Sequence, residues 1–170
     1  THFPAGMPIR MAQQPDRELS FQKGIFFSNV SAAIRRSVLL EIPFDEQVIM
    51  SEDQQFARDA ILAGHAIVYQ PSSIVEHSHN YSLRQAFQRY FDSVYSLSKI
   101  FAEHDMSASA ALGVRYVRGE LAFILRRYPL HLPHYLLYTL AKAAGTIAAH
   151  HAERMPRWLA RRCSLHKYYW

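Results

Sequence analysis

The 170 residues predict an α/β first part followed by a mostly α-helical second part, and three observations carry that reading. Up to about Tyr81, short apolar runs bounded by Gly, Pro and Ser alternate with short helical stretches. From Ser82 onward the apolar residues recur only at helical spacing. The charge changes sign at the same place: residues 1–80 hold 6 Lys and Arg against 9 Asp and Glu, and residues 81–170 hold 13 against 5. Two regions follow, 1–81 and 82–170.

Taken in order, residues 1–22 lack periodicity and are broken by Pro4, Pro8 and Pro15, so they read as loop. Gly24 to Ser28 reads as a short apolar strand, and Asn29 to Arg36 as a turn running into a short helix. Ser51-Glu52-Asp53-Gln54 has the form of a capping box, with Ser51 as cap, Gln54 as its partner and two carboxylates in the first turn. Phe56, Ala57, Ala60 and Ile61 continue at helical spacing, and Gly64 stops the helix. Ala66 to Tyr69 and Ile74 to His77 read as strands on either side of a Pro71-Ser72-Ser73 turn.

Ser82-Leu83-Arg84-Gln85 is a second capping box and opens a long helix whose apolar face is Phe87, Tyr90, Phe91, Val94, Leu97 and Phe101. Further helices are predicted from Ser107 to Arg127, stopped by Pro129, and from Pro133 to about Arg154, with a short basic piece after Pro156.

Composition narrows the function. At 49% hydrophobic and 19% charged, the chain is too apolar for intrinsic disorder. One cysteine, Cys163, excludes an intramolecular disulfide framework and a multi-cysteine zinc module. Its Arg161 and Arg162 neighbours favour the thiolate, but the sequence places no catalytic partner beside it. No uncharged apolar run reaches the roughly 18 residues of a membrane span. The sequence pI near 9.5 suggests a polyanionic partner, yet no zinc-finger, RNA-recognition or helix-turn-helix signature is present, so nucleic acid is not expected.

Two clusters could carry chemistry. Glu52 and Asp53 are either acids that favour a helix N-terminus or a carboxylate held there as a general base. His77-Ser78-His79-Asn80 is either a polar loop or, with histidines at i and i+2, a contact for one metal or one phosphate group. No Asp-x-Asp pair lies nearby to complete a site for a hard cation.

The order of these motifs is more specific than any one of them. Phe27-Ser28-Asn29-Val30-Ser31, then Ser51-Glu52-Asp53-Gln54-Gln55-Phe56-Ala57, then Gly64-His65-Ala66-Ile67-Val68-Tyr69-Gln70-Pro71, then Val75-Glu76-His77-Ser78-His79-Asn80 resembles the C-terminal half of family 2 glycosyltransferases, nearest to their rhamnosyltransferase-like branch. The resemblance implies part of a GT-A, Rossmann-like sandwich lacking its N-terminal nucleotide-binding half, followed by a helical extension. It further implies inverting sugar transfer, with rhamnose as the sugar of the nearest branch, from a nucleoside-diphosphate sugar to a glycan or lipid-linked acceptor in bacterial surface-polysaccharide synthesis.

Under that resemblance Asp53 is the catalytic base and Glu52 its neighbour in the catalytic pair. Ser28, Asn29 and His79 contact substrate, and His77 contacts a divalent metal, Mg²⁺ or Mn²⁺. It also implies a C-terminal fragment working in the cytoplasm or at the inner face of its membrane. The basic, aromatic end, with Arg157, Trp158, Arg161, Arg162, Lys167, Tyr168 and Trp170, is then a peripheral membrane contact or a homo-oligomer surface. The competing reading is a non-catalytic helical membrane-binding or oligomerisation module.

Overall fold

The structure, a computed structural model, describes residues 9–12, 27–70, 72–101 and 106–170; for 9–12 and 106–112 it describes the backbone only. The chain divides into two compact units. The first holds residues up to His79 and takes back the chain from Ile100; the second holds Asn80 to Lys99 and the chain from Asp105 to Trp170.

In the first unit, strand β1 (Ile9–Ala12) pairs antiparallel with β2 (Ile67–Tyr69), Ile9 opposite Tyr69 and Ala12 opposite Ile67, with an irregularity between Arg10 and Ala12. A strand therefore lies inside the stretch that reads as loop in the sequence. Residues 29–31 form one 3-10 turn, Ala32 to Arg35 are not helical, and α1 runs Arg36–Glu41, later than the sequence suggests. Helix α2 (Glu52–Leu62) follows. It ends on the left-handed Gly64 (φ 88°), where the His65 N–H reaches back to the Ala60 carbonyl at 2.9 Å, as the glycine stop predicts.

The buried apolar residues of this unit are Ile49, Met50, Phe56, Ala57, Ala60 and Ile61, joined by Ile100 and Phe101 from far along the chain. Phe27 and Phe44 pack on Phe56 at ring distances of 5.7 and 5.0 Å, and the Arg58 guanidinium donates to the Ile100 carbonyl. Two expectations change here. Residues 74–77 form no strand: the segment 72–80 is exposed and pairs with no strand among the described residues. The Gly24–Ser28 strand lies almost wholly outside the described residues, and Phe27 and Ser28 are irregular. The only sheet among the described residues is the β1–β2 pair, so the layered parallel sheet of a GT-A sandwich is not formed by them.

The second unit is helical, as predicted: α3 (Leu83–Ile100, its last residue in the first unit), α4 (Met106–Arg127), α5 (Leu132–Ala149) and α6 (Arg157–Cys163). The Ser82 capping box forms in full. The Gln85 N–H donates to Ser82 Oγ at 3.3 Å, and Gln85 Oε1 accepts the Ser82 N–H at 3.0 Å. Phe91, Ala149, Ala152 and Ala160 make the core, flanked by Val94, Tyr95, Met155 and Trp170. Helices α3 and α5 approach so closely at Gly145 that a Cβ there would lie 2.3 Å from the Phe87 carbonyl oxygen.

The C-terminal segment is fastened to α3 by buried polar groups. Gln88 Nε2 donates to the Arg162 and Ser164 carbonyls, both at 3.0 Å. Asp92 Oδ2 accepts the Leu165 and His166 N–H groups at 2.8 and 3.1 Å. The Trp170 ring then packs on Tyr95 and Phe91 at 4.8 and 5.7 Å.

Candidate functional site around Asp53 and the histidine pair

Helix α2 begins under strain. Ser51 adopts φ 65° and ψ 30°, the left-handed region that costs an L-residue about 1–2 kcal/mol. In that conformation its hydroxyl makes no capping bond, so the expected Ser51 capping box does not form. The Asp53 carboxylate caps instead: Oδ1 accepts the Gln54 N–H at 2.8 Å, and Oδ2 accepts the Asn29 N–H at 3.3 Å. Gln54, read in the sequence as a capping partner, is buried and donates through Nε2 to the Phe27 carbonyl.

These bonds fix the Phe27–Ser31 turn against the start of α2. Ser28 Oγ accepts the Val30 N–H at 3.4 Å within the turn. Ser31 Oγ lies 2.8 Å from Ser73 Oγ, tying the turn to the segment that leads to His77. Of the sequence-predicted residues, Asp53, Asn29 and Ser28 are thus brought together. Glu52 is exposed beside them.

Burial pushes the Asp53 carboxyl above its ordinary value, and the neighbouring Glu52 charge adds to the rise. The N–H groups of Asn29 and Gln54 oppose it by stabilising the anion. The result is a carboxylate that is fixed in orientation and more basic than an exposed aspartate.

His77 and His79 meet edge-on, ring centroids 4.4 Å apart, with their Nε2 atoms at 2.8 Å. That hydrogen bond needs one ring to donate and the other to accept through Nε2, so at least one imidazole is neutral. The two rings meet although residues 77–79 are not in a strand. Among the described residues no group of three or more His, Cys, Asp and Glu is placed to hold a metal ion. Two imidazoles alone do not fit a hard divalent cation, which takes mainly oxygen ligands.

Missed in the sequence were Gln54 as the tie to Phe27 and the Ser31–Ser73 link, both made between residues far apart in the chain. Cys163 also differs from its sequence reading: burial and the nearby Asp92 charge push its thiol up, against the effect expected of its arginine neighbours.

The chain is 38% identical over 150 residues to the O-antigen chain rhamnosyltransferase RfbN of Salmonella typhimurium, which covers 87% of this chain and 48% of that protein. It is a relative of the O-antigen chain rhamnosyltransferases. The same span is 39% identical to the O-antigen chain rhamnosyltransferase WbaN of Salmonella anatum, with the same shares covered. A match over 87% of the chain takes in Asp53 wherever it starts. The chain spans about half the length of these curated relatives. No family model matches it, and no solved structure does. Among the described residues, no helix is long and apolar enough to cross a membrane.

Proposed function

We propose that this chain supplies the acceptor side of an inverting rhamnosyltransferase acting in surface-polysaccharide synthesis. The observation that carries the reading is the Asp53 carboxylate, oriented by two backbone N–H groups and made more basic by burial, in a chain related to O-antigen chain rhamnosyltransferases. In this reading Asp53 takes the proton from an acceptor sugar hydroxyl. The freed oxygen attacks the anomeric carbon of the donor, and the nucleoside diphosphate leaves with the bonding electron pair.

Ser28 and Asn29 line the acceptor side, Glu52 helps orient the acceptor, and the His77–His79 pair faces the departing diphosphate. The two-stranded ribbon and α2 belong to a GT-A domain completed by the rest of the whole protein. Any divalent cation draws its oxygen ligands from there, with His77 as the contact from this chain. Cytoplasmic placement next to a lipid-linked acceptor follows from the same reading.

The test is rhamnosyl transfer by the whole protein that carries this chain, from a nucleoside-diphosphate rhamnose to its glycan acceptor. Asp53→Asn lowers kcat at least about 100-fold, the scale of general-base catalysis, while donor binding stays unchanged. Wild-type turnover in Asp53→Asn refutes the assignment.

A further inference from the structure

Helices α4 and α5 form a hairpin, joined by a single 3-10 turn at Pro129–His131 and tied by the Tyr135 hydroxyl, which donates to the Val117 carbonyl at 2.9 Å. Its tip is apolar and exposed, with nothing packed over it among the described residues. Residues 125–131 are all exposed, and Leu130 at the apex is 93% exposed. Phe123 and Tyr128 pack on each other at 5.9 Å, Tyr128 on His131 at 6.0 Å, and both aromatic rings are more than half exposed. Leu137, on the first turns of α5, continues the apolar surface at 53% exposure.

The chain that builds this tip carries one sign of charge, the nearest acid before it on α4 being Glu120, one turn ahead of Phe123. From Leu121 to Ala152 the sequence contains no Asp or Glu, while Arg126 and Arg127 stand at the end of α4. A C-terminal carbonyl end of a helix with two arginines and no acid beside an exposed leucine is built for an apolar layer bordered by anions. A second copy of the chain is a poorer occupant. A two-fold contact through the tip would bring Arg126 and Arg127 against their own copies with no carboxylate in the patch to pair them.

At the basic C-terminal end Trp170 is packed on Tyr95 and Phe91 and its segment is anchored by Asp92, while Trp158 and Tyr168 stay exposed. We infer that the α4–α5 tip, led by Leu130 with Phe123 and Tyr128 and flanked by Arg126 and Arg127, seats this protein on an anionic lipid surface. The inference deepens the transferase reading by naming the surface that meets the membrane of a lipid-linked acceptor, but its test does not involve transfer.

The experiment is co-sedimentation of the 170-residue chain with vesicles of phosphatidylcholine alone or mixed with phosphatidylglycerol, alongside sedimentation velocity without lipid. The chain binds the mixed vesicles, and raised salt weakens the binding. Leu130→Asp lowers the vesicle affinity at least about tenfold, and Arg126→Glu and Arg127→Glu lower it at least about fivefold each, with unchanged circular dichroism because all three side chains are exposed. Arg161→Glu changes it less than about twofold. Three results overturn the inference: no binding to mixed vesicles, binding lost in Arg161→Glu and kept in the tip variants, or a dimer that Leu130→Asp dissolves in the absence of vesicle binding.

Discussion

The Asp53 carboxylate accepts the Asn29 N–H at 3.3 Å across 24 positions of sequence, so the first turn of α2 and the Ser28–Ser31 turn share one anion. This bond is what makes Asp53 more than a helix cap. A cap needs only its own helix, and Asp53 Oδ1 already serves that purpose through Gln54.

Because burial raises the Asp53 carboxyl, the acid limb of the pH–rate profile for transfer by the whole protein lies above 3.8, the ordinary aspartate value. Removing the nearby charge with Glu52→Gln lowers that limb, since Glu52 contributes to the rise. An acid limb that ignores Glu52 separates the two carboxylates.

Ser51 sits at φ 65°, where glycine carries no Cβ penalty. Ser51→Gly therefore raises the unfolding free energy by up to about 1 kcal/mol, and Ser51→Val lowers it by more than about 1 kcal/mol. Urea midpoints of the two variants check this, and equal midpoints reject the strain.

Gly145→Ala is expected to destabilise by about 1–3 kcal/mol, because its Cβ meets the Phe87 backbone at 2.3 Å and neither helix can yield without losing core contacts. The control is Gly119→Ala on α4, where nothing lies within 4 Å of the added atom. That change stabilises by roughly 0.5–1 kcal/mol through helix propensity alone. Thermal melts that move in opposite directions confirm the close approach.

Asp92 is fully buried and holds two N–H groups of the C-terminal segment. Asp92→Ala leaves both donors without an acceptor and costs about 3 kcal/mol, with altered Trp170 fluorescence as the local readout. Burial also raises the Asp92 carboxyl, more than its hydrogen bonds lower it. The folded form then binds this proton more tightly than the unfolded form does. Stability from Asp92 is highest below 3.8, falls as pH rises from there through the folded value, and is constant above it. Wild type therefore loses stability relative to Asp92→Asn over that window, as paired urea titrations at acid and neutral pH report.

What the sequence made legible was local. The Ser82–Gln85 box, the Gly64 stop and helices α2 to α5 each depend on residues within a few positions of one another, and each forms close to where the pattern places it, except that α5 ends at Ala149 and not near Arg154. The same logic failed at Ser51, because a capping pattern does not encode the left-handed backbone that turns its hydroxyl away. It failed at residues 74–77, where an apolar run bonds to no strand among the described residues.

At the candidate site, Asp53 and the histidine pair stood out by residue type and spacing. Their neighbours did not. The Gln54 tie to Phe27 spans 27 positions, and the Ser31 link to Ser73 spans 42, distances over which periodicity carries no information.

Ile100 and Phe101 have a consequence for how this protein can be divided. The chain leaves the first unit at Asn80, returns to give these two residues to its core, and departs again. No single cut yields both units whole: one made at Asn80 strips the first of two core side chains and of the carbonyl that Arg58 holds. The helical part is thus not a cassette that recombination could exchange by one crossover, and the two units must be inherited, expressed and engineered together.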